Sequence, residues 1–133
     1  MIRAVADTHA VLWYLYNDAR LSVVARTWIE GAVEAGEQIA LSTITLAEMV
    51  YLVEKGRIDT AALSRLLAAL DESGAVLVEV PIDRHIVQAM TRVPRADVPD
   101  LPDRIIAATA LYLDVPLISR DGKIQASDLR AIW

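Results

Sequence analysis

The sequence predicts an α/β fold in which helices cover both faces of a parallel β-sheet. Short apolar segments alternate with longer helical patterns along the chain, which is typical of strands joined by crossover helices. The short segments are apolar at consecutive positions, as in Ile2–Ala6, and this indicates strands that are buried on both faces. The length of 133 residues fits a single domain, and an apolar content of 55% excludes a disordered chain.

Four strands are predicted, with a fifth at an edge of the sheet. Each is short and mainly apolar, and the first and fourth are followed directly by Asp7 and Arg120. In chain order the predicted strands span Ile2–Ala6, Gln38–Leu41, Val76–Val80, Pro116–Ser119 and, at the edge, Ala131–Trp133.

Six helices are predicted between these strands. The clearest is Thr60–Glu72, in which four leucines recur at the spacing i, i+3, i+4 and i+7 before Gly74 ends the pattern. The others span His9–Tyr16, Ser22–Ala35, Thr43–Glu54, Asp83–Val93 and the alanine-rich Asp103–Leu113.

Two segments have the composition of loops and turns. Three prolines between residues 94 and 102 predict a loop, in which Asp97 and Asp100 are interpreted as solvated charges. Arg120, Asp121 and Gly122 predict a turn after the fourth strand.

Composition excludes several classes of protein. The absence of cysteine excludes a disulfide scaffold, a thiolate zinc site and a cysteine nucleophile. No apolar run approaches the ~20 residues of a membrane span, and Asp7 and His9 interrupt the apolar first segment, unlike a secretory signal. The net charge of −5 argues against nucleic-acid binding by bulk electrostatics alone. We therefore expect a cytoplasmic protein with no membrane partner.

Four acidic residues stand at positions that matter, although each has an ordinary explanation. Asp7 suits a helix N-cap and Asp121 suits a turn. Glu48 follows Thr45 at the spacing of a capping box, and Asp103 lies in a first helical turn, where the helix dipole favours an acid.

Taken together, the four acids are expected to converge at one edge of the sheet. Asp7 and Asp121 follow the first and fourth strands, whose ends lie about 5 Å apart if the strands are neighbours. Asp103 opens a helix that runs antiparallel to the fourth strand, and Glu48 lies near the start of the helix after the second. In open α/β sheets this carboxyl edge is where ligands bind.

Four carboxylates in one cleft predict a metal site. They repel one another, so that they either take up protons or require cations. Oxygen ligands suit Mg²⁺ or Mn²⁺, and such ions support the hydrolysis of phosphodiester bonds. Metal-dependent phosphodiester hydrolysis is therefore the predicted chemistry.

The residues around these acids also form a recognisable ordered set. The segments are DTHAVLW from Asp7, TLAE ending at Glu48, PDRIIA around Asp103 and LISRD ending at Asp121. In this order they resemble the PIN-domain ribonucleases, and in particular the VapC-type toxins of bacterial type II toxin–antitoxin pairs. The resemblance covers the whole chain and implies a single PIN-like domain over residues 1–133. It implies a three-layer α/β/α sandwich with the sheet order 3-2-1-4-5.

The resemblance also implies a function and a set of site residues. The function is that of an endoribonuclease toxin with an RNA substrate, a cognate antitoxin protein and a homodimeric assembly. The four acids would hold Mg²⁺ or Mn²⁺, with support from other side chains near them. These residues are Asp7, Glu48, Asp103 and Asp121 for the metal, Thr8 and Ser119 beside it, and Arg104 and Arg120 as candidates for phosphate contact.

Three aromatic residues in the first helical segment have two interpretations. Trp13, Tyr14 and Tyr16 are interpreted first as core residues. The resemblance also allows them, with the Ser22–Ala35 helix, to form an antitoxin-binding surface. His9, in the same segment, is interpreted as a packed helix residue rather than a general base.

Other hydrolases and signalling domains fit the sequence less well. A phosphatase of the haloacid dehalogenase type requires D-x-D after the first strand, but Asp7 is followed by Thr8 and His9. A receiver domain requires an acidic pair there, and a serine hydrolase requires a G-x-S-x-G motif that this chain lacks. A catalytically silent PIN-like module that only binds proteins remains the alternative.

Overall fold

The fold was obtained as a computed structural model that describes all residues from Met1 to Trp133. It contains five strands, close to the predicted bounds, and the fifth strand is formed. The strands are β1 (Ile2–Ala6), β2 (Gln38–Ser42), β3 (Leu77–Val80), β4 (Leu117–Ile118) and β5 (Ala131–Ile132).

Seven helices connect and flank these strands, one more than predicted. None of them is long and apolar enough to cross a membrane. They are α1 (Thr8–Leu15), α2 (Val23–Ala35), α3 (Thr43–Glu54), α4 (Ala62–Asp71), α5 (Arg84–Ala89), α6 (Leu101–Leu113) and α7 (Gly122–Gln125), and a short 3₁₀ helix over Met90–Arg92 follows α5.

The sheet has the order β3-β2-β1-β4-β5, and every neighbouring pair is parallel. The predicted order is therefore confirmed. Strands β1 and β4 are neighbours, with Ala6 opposite Ile118. The backbone N–H of Asp7 donates to the carbonyl of Ile118 over 3.1 Å, so the ends of the two strands are held together at one edge.

Two apolar cores lie on opposite faces of the sheet. Successive residues of β1 alternate between them, with Ala4 and Ala6 in one core and Val5 in the other. The first core of 17 buried residues includes side chains from α1, α2 and α4, and the second, of 13, includes side chains from α5 and α6. Burial of both faces explains why the strands are apolar at consecutive positions, and it confirms the three-layer α/β/α sandwich.

The start of α6 differs from the prediction, whereas the start of α3 agrees with it. Helix α6 begins at Leu101 rather than Asp103, because the Asp100 carboxylate accepts a hydrogen bond from the Asp103 N–H and so caps the helix. Helix α3 is capped by Ser42, whose hydroxyl accepts from the N–H of Ile44. Thr45 and Glu48, which match the spacing of a capping box, lie inside this helix and do not cap it.

The predicted turn at Arg120–Gly122 is the start of a short helix. The Asp121 carboxylate accepts hydrogen bonds from the N–H groups of Lys123 (2.8 Å) and Ile124 (3.1 Å) and caps α7. Buried Ile124 anchors this helix to the second core. An Asp before Gly is common in both settings, so the local sequence did not distinguish them.

Candidate active site

The carboxyl edge of the sheet opens into a polar cleft of about 360 Å³. The ends of β1 and β4 and the starts of α1, α3 and α6 meet here. All four predicted acids line it, together with a fifth. The lining residues are Asp7, Thr8, His9, Trp13, Glu48, Asp100, Asp103, Arg120 and Asp121.

Asp7 is the most deeply buried of the acids, with 9% of its surface exposed. Its carboxylate caps α1 by accepting a hydrogen bond from the Ala10 N–H over 2.9 Å. Burial raises its pKa, while the Ser119 hydroxyl and the Ala10 N–H oppose that shift and the charge of Asp121 adds to it. Asp7 is thus both a structural cap and part of the cleft.

Glu48 reaches the cleft from the second turn of α3. The Thr8 hydroxyl donates a hydrogen bond to Glu48 Oε1, and Thr8 Oγ1 lies 3.0 Å from the buried Thr45 hydroxyl. Because a hydroxyl has one proton, Thr45 donates to Thr8 in this chain of hydrogen bonds. Burial raises the pKa of Glu48, the Thr8 hydrogen bond lowers it, and the charge of Asp100 raises it.

Asp103 is the acid whose ionisation is most perturbed. It lies in the first turn of α6, and no protein group donates a hydrogen bond to its carboxylate. Burial raises its pKa to about 7, and the charges of Asp100, Asp121, Glu48 and Asp7 add to the shift in that order. The side chain therefore lies in a negative field that only a proton or another cation relieves.

Ser119 joins the two strand ends that carry acids. Its side chain is fully buried, and its hydroxyl accepts a hydrogen bond from the Asp121 N–H over 3.1 Å. The same hydroxyl favours the charged form of Asp7. Ser119 therefore lies beside the cleft, as the sequence predicted, and is in contact with both acids.

Asp100 is a cleft residue that sequence reasoning missed. It was interpreted as a solvated charge in a loop; it is exposed, as expected, but it lies at the start of a helix and lines the cleft. It caps α6 and its charge is the largest electrostatic contribution to the raised pKa of Asp103. An Asp followed two positions later by Pro102 in a first helical turn was the signal that could have found it.

The two arginine candidates have different positions. Arg104 does not line the cleft, because its guanidinium donates to the backbone carbonyls of Met90 and Val93, each over 2.9 Å. These hydrogen bonds give Arg104 a structural place, and this position does not support its predicted phosphate contact. Arg120 lines the cleft, is exposed, and takes no part in the chain's salt bridges.

His9 and Trp13 form one wall of the cleft. The His9 side chain is exposed and its ring lies 5.5 Å from that of Trp13. The interpretation of His9 as a packed residue is therefore wrong. Trp13 is 5% exposed and belongs to the first core, as predicted, although one edge of it reaches the cleft.

The donor set suits a hard divalent cation. Five carboxylates face one arginine and one histidine, and all the acidic ligands offer oxygen only. No three His, Asp or Glu side chains are close enough to one another to form a metal site in the present conformation. Asp7 and Asp121 are turned towards backbone N–H groups and Glu48 towards Thr8. The chemistry of the donors fits Mg²⁺ or Mn²⁺, and the carboxylates other than that of Asp103 each accept hydrogen bonds of their own.

Comparison with known families settles the membership of the chain. The family model of the PIN domain matches residues 4–128, nearly the whole sequence. The chain belongs to the PIN domain family. All four predicted acids and Thr8 lie within the matched range, so the PIN-domain resemblance stated from the motifs is confirmed.

Individual PIN-domain relatives are similar over nearly their whole length. Ribonuclease VapC22 of Mycobacterium tuberculosis is 25% identical over 95% of this chain and 92% of that protein. A toxin–antitoxin complex from Klebsiella pneumoniae contains a chain that is 26% identical, with a TM-score of 0.65 and coverage of 98% of this chain and 96% of that one. VapBC2 from Rickettsia felis, solved with a DNA fragment from its promoter, matches the fold with a TM-score of 0.70 at 19% identity, covering 98% and 97% of the two chains.

Proposed function

We propose that this PIN-domain protein is a metal-dependent endoribonuclease that acts as the toxin of a toxin–antitoxin pair. One observation carries the proposal: five carboxylates line one cleft, where burial and the charges of the other four raise the pKa of Asp103 to about 7. Such an arrangement costs folding free energy and is retained where a cation is bound for function. The resemblance to a curated ribonuclease over 95% of the chain supports RNA as the substrate.

In this proposal the four predicted acids hold Mg²⁺ or Mn²⁺. Asp7 and Asp103 are the most direct ligands, and Glu48 and Asp121 complete the set directly or through water. When bound, the metal ion activates a water for attack and offsets charge on the phosphate. Binding requires the carboxylates to rotate towards one another from their present hydrogen bonds.

The protein groups around the acids have separate parts. The hydrogen-bond chain from Thr45 through Thr8 holds the Glu48 carboxylate in one orientation, and Ser119 does the same for Asp7. Arg120, free of carboxylate partners, contacts an RNA phosphate. Below about pH 7 Asp103 holds a proton on its carboxyl group when no cation is present and releases it when a cation binds.

We propose an antitoxin protein as the macromolecular partner, since two of the similar structures are toxin–antitoxin complexes. A second groove of about 470 Å³ adjoins the acidic cleft and shares His9 and Trp13 with it. Leu12, Tyr16 and Ile58 give this groove an apolar floor. A partner segment lying in the groove would end at the acidic cleft, where it would prevent RNA from entering the cleft.

A homodimer remains a prediction from family resemblance. Multi-angle light scattering of the purified protein tests it, with about 29 kDa expected for two 14.6 kDa chains. A mass of one chain across the working concentration range would contradict it.

The proposed function is tested by cleavage of single-stranded RNA with Mn²⁺ and with EDTA. The protein must be purified free of antitoxin. Asp7→Asn and Asp103→Asn are expected to lower cleavage by at least about a hundredfold, since each removes a charged metal ligand. Asp97→Asn, an exposed acid outside the cleft, is the matched control and is expected to cleave like the wild type. Cleavage that is indifferent to EDTA and to both cleft variants would overturn the proposal and favour the catalytically silent binding module.

A further inference from the structure

The ring of Trp13 is the centre of a cluster of cations and aromatic groups at the edge of the cleft. The guanidinium of Arg120 lies 4.6 Å from the ring centroid, and that of Arg20 lies 5.1 Å from it. The ring of Trp133 packs against Trp13 at a tilt of 61°, with 5.7 Å between the centroids. Cation–π contacts at such distances are attractive, and so are edge-to-face aromatic pairs.

Strand pairing explains how Trp133 reaches this cluster. Strand β5 pairs in parallel with β4, with Ile132 opposite Ile118. The backbone N–H of Ser119 donates to the carbonyl of Ile132 over 3.1 Å, which extends the pairing by one step. Trp133 therefore follows β5 at the level where Ser119 follows β4, one residue before Arg120, and the side chains of Trp133 and Arg120 both meet the ring of Trp13.

The two arginines on this ring differ in their charge balance. Arg20 is paired with Asp18, to which its side chain donates two hydrogen bonds of 2.7 and 3.1 Å. Arg120 has no carboxylate partner in the structure, although it lines a cleft with five acids. Its position is set by the aromatic ring rather than by an ion pair, so its guanidinium N–H groups remain free for an incoming anion.

We propose that Trp133 is a positioning residue for RNA cleavage. It packs edge-on against Trp13, fixes the ring on which the Arg120 guanidinium lies, and thereby aims Arg120 at a phosphate of the RNA. The inference rests on the proposed ribonuclease function. It extends the site to the residue that directly follows the edge strand, 12 positions beyond Asp121, the last of the predicted metal ligands.

Such an arrangement would help RNA binding because an exposed arginine side chain otherwise has many accessible conformations. The side chain of a free arginine samples many rotamers, and holding it in one costs conformational entropy when substrate binds. When the Trp13 ring holds the arginine side chain in place, this conformational entropy is lost during folding rather than when substrate binds. Loss of Trp133 would leave Trp13 free to tilt into the vacated space, and Arg120 would lose its defined position without losing its charge.

The test compares Arg120→Ala, Trp133→Ala, Trp133→Phe and the double variant Arg120→Ala/Trp133→Ala. Two properties are measured: affinity for a single-stranded RNA oligonucleotide in EDTA at several salt concentrations, and kcat and KM for cleavage with Mn²⁺. Arg120→Ala is expected to weaken RNA binding about tenfold or more, as for a lost charge-assisted hydrogen bond, and to reduce the salt slope by about 0.7.

Trp133→Ala is expected to raise KM and weaken RNA binding about two- to fivefold, the size of an exposed cation–π contact, with kcat little changed. Trp133→Phe restores most of the loss, because a phenyl ring still packs against Trp13. In the Arg120→Ala background the loss of Trp133 is expected to change neither KM nor RNA affinity any further, because the Trp13 ring then has no arginine to position.

Two controls separate positioning from general damage. Arg95→Ala removes an exposed arginine that lies outside the cleft. Trp28→Phe alters a tryptophan that lies under Arg3, at 5.4 Å, also outside the cleft. Both are expected to match the wild type in KM and RNA affinity.

The outcomes distinguish this inference from the proposed function. If the wild type cleaves RNA and Trp133→Ala has the same KM and affinity, the inference is wrong and the function stands. If the wild type binds RNA with the expected dependence on Arg120 and Trp133 but does not cleave it, the ribonuclease function fails, and what stands is the positioning of Arg120 towards an RNA phosphate. If the wild type neither binds nor cleaves RNA, both are wrong.

Discussion

Replacement of Asp103 by Asn is expected to stabilise the metal-free protein while it abolishes RNA cleavage. The carboxyl group of Asp103 has a pKa of about 7 in the fold, against an ordinary value of 3.8. The folded chain therefore binds a proton that the unfolded chain releases. Because of this difference, the free energy of unfolding falls as the pH rises from about 4 to about 7, and the whole loss is present above pH 7.

The magnitude follows from the size of the shift. About three pKa units correspond to an upper bound of roughly 4 kcal/mol. Asp103 is only partly buried, so solvent screening reduces this to about 1–2 kcal/mol. For a domain of this length the corresponding rise in Tm is roughly 3–8 °C. Asn keeps the shape of the side chain and removes the charge, so the variant is expected to gain this amount at pH 8.

Thermal unfolding in EDTA at pH 5 and at pH 8 measures the effect. The Tm of Asp103→Asn should exceed that of the wild type at pH 8, and the difference should shrink towards pH 5. Saturating Mn²⁺ should narrow the difference, because a ligand at a hundredfold excess over Kd stabilises the wild type by about 2.7 kcal/mol, but a variant that binds it tenfold more weakly by only about 1.4 kcal/mol. Asp97→Asn should follow the wild type throughout. A Tm of Asp103→Asn below that of the wild type at pH 8 in EDTA would refute the reasoning.

Three further predictions follow from the site. Mn²⁺ affinity measured by calorimetry should rise up to about tenfold per pH unit from pH 5.5 to 7 and level off above it, because Asp103 must lose its proton to bind a cation; a flat profile would contradict this. Thr8→Val removes the hydrogen bond to Glu48 and should lower kcat/KM by about tenfold or more, with Thr27→Val as an exposed control. Arg104→Ala should lower the free energy of unfolding by about 2–3 kcal/mol, since two backbone carbonyls lose a charged donor. The same variant should leave RNA affinity unchanged. Weaker RNA binding with unchanged stability would instead support the predicted phosphate contact of Arg104.

The sheet could be predicted from the sequence because its signal is local. Runs such as Ile2–Ala6 are apolar at consecutive positions, and two buried faces require that pattern. Neighbouring first and fourth strands were required if Asp7 and Asp121 were to meet, and the observed order places them so. The brief strand β5 has little sequence signal, since it contains two residues at the sheet edge.

Some cleft residues were missed or misplaced because their place depends on the direction in which the side chain points from its helix. The residue type alone does not reveal that direction. Arg104 follows Asp103 directly on α6, and one residue turns a helix by about 100°, so the two side chains cannot face the same way. Asp100 lies in a segment whose prolines obscured a helix start. His9 was placed in the core because its neighbours are apolar, although a short helix at the sheet edge leaves one side open.

Binding of Mn²⁺ to the purified protein tests the central claim most directly, because the claim is that the carboxylate cleft holds a divalent cation. Isothermal calorimetry at pH 7.5 should show binding to the wild type and to Asp97→Asn. Binding should weaken by at least about tenfold in Asp7→Asn and in Asp103→Asn, each of which lacks one charged ligand. Mn²⁺ that binds all four proteins equally, or none of them, would contradict the account.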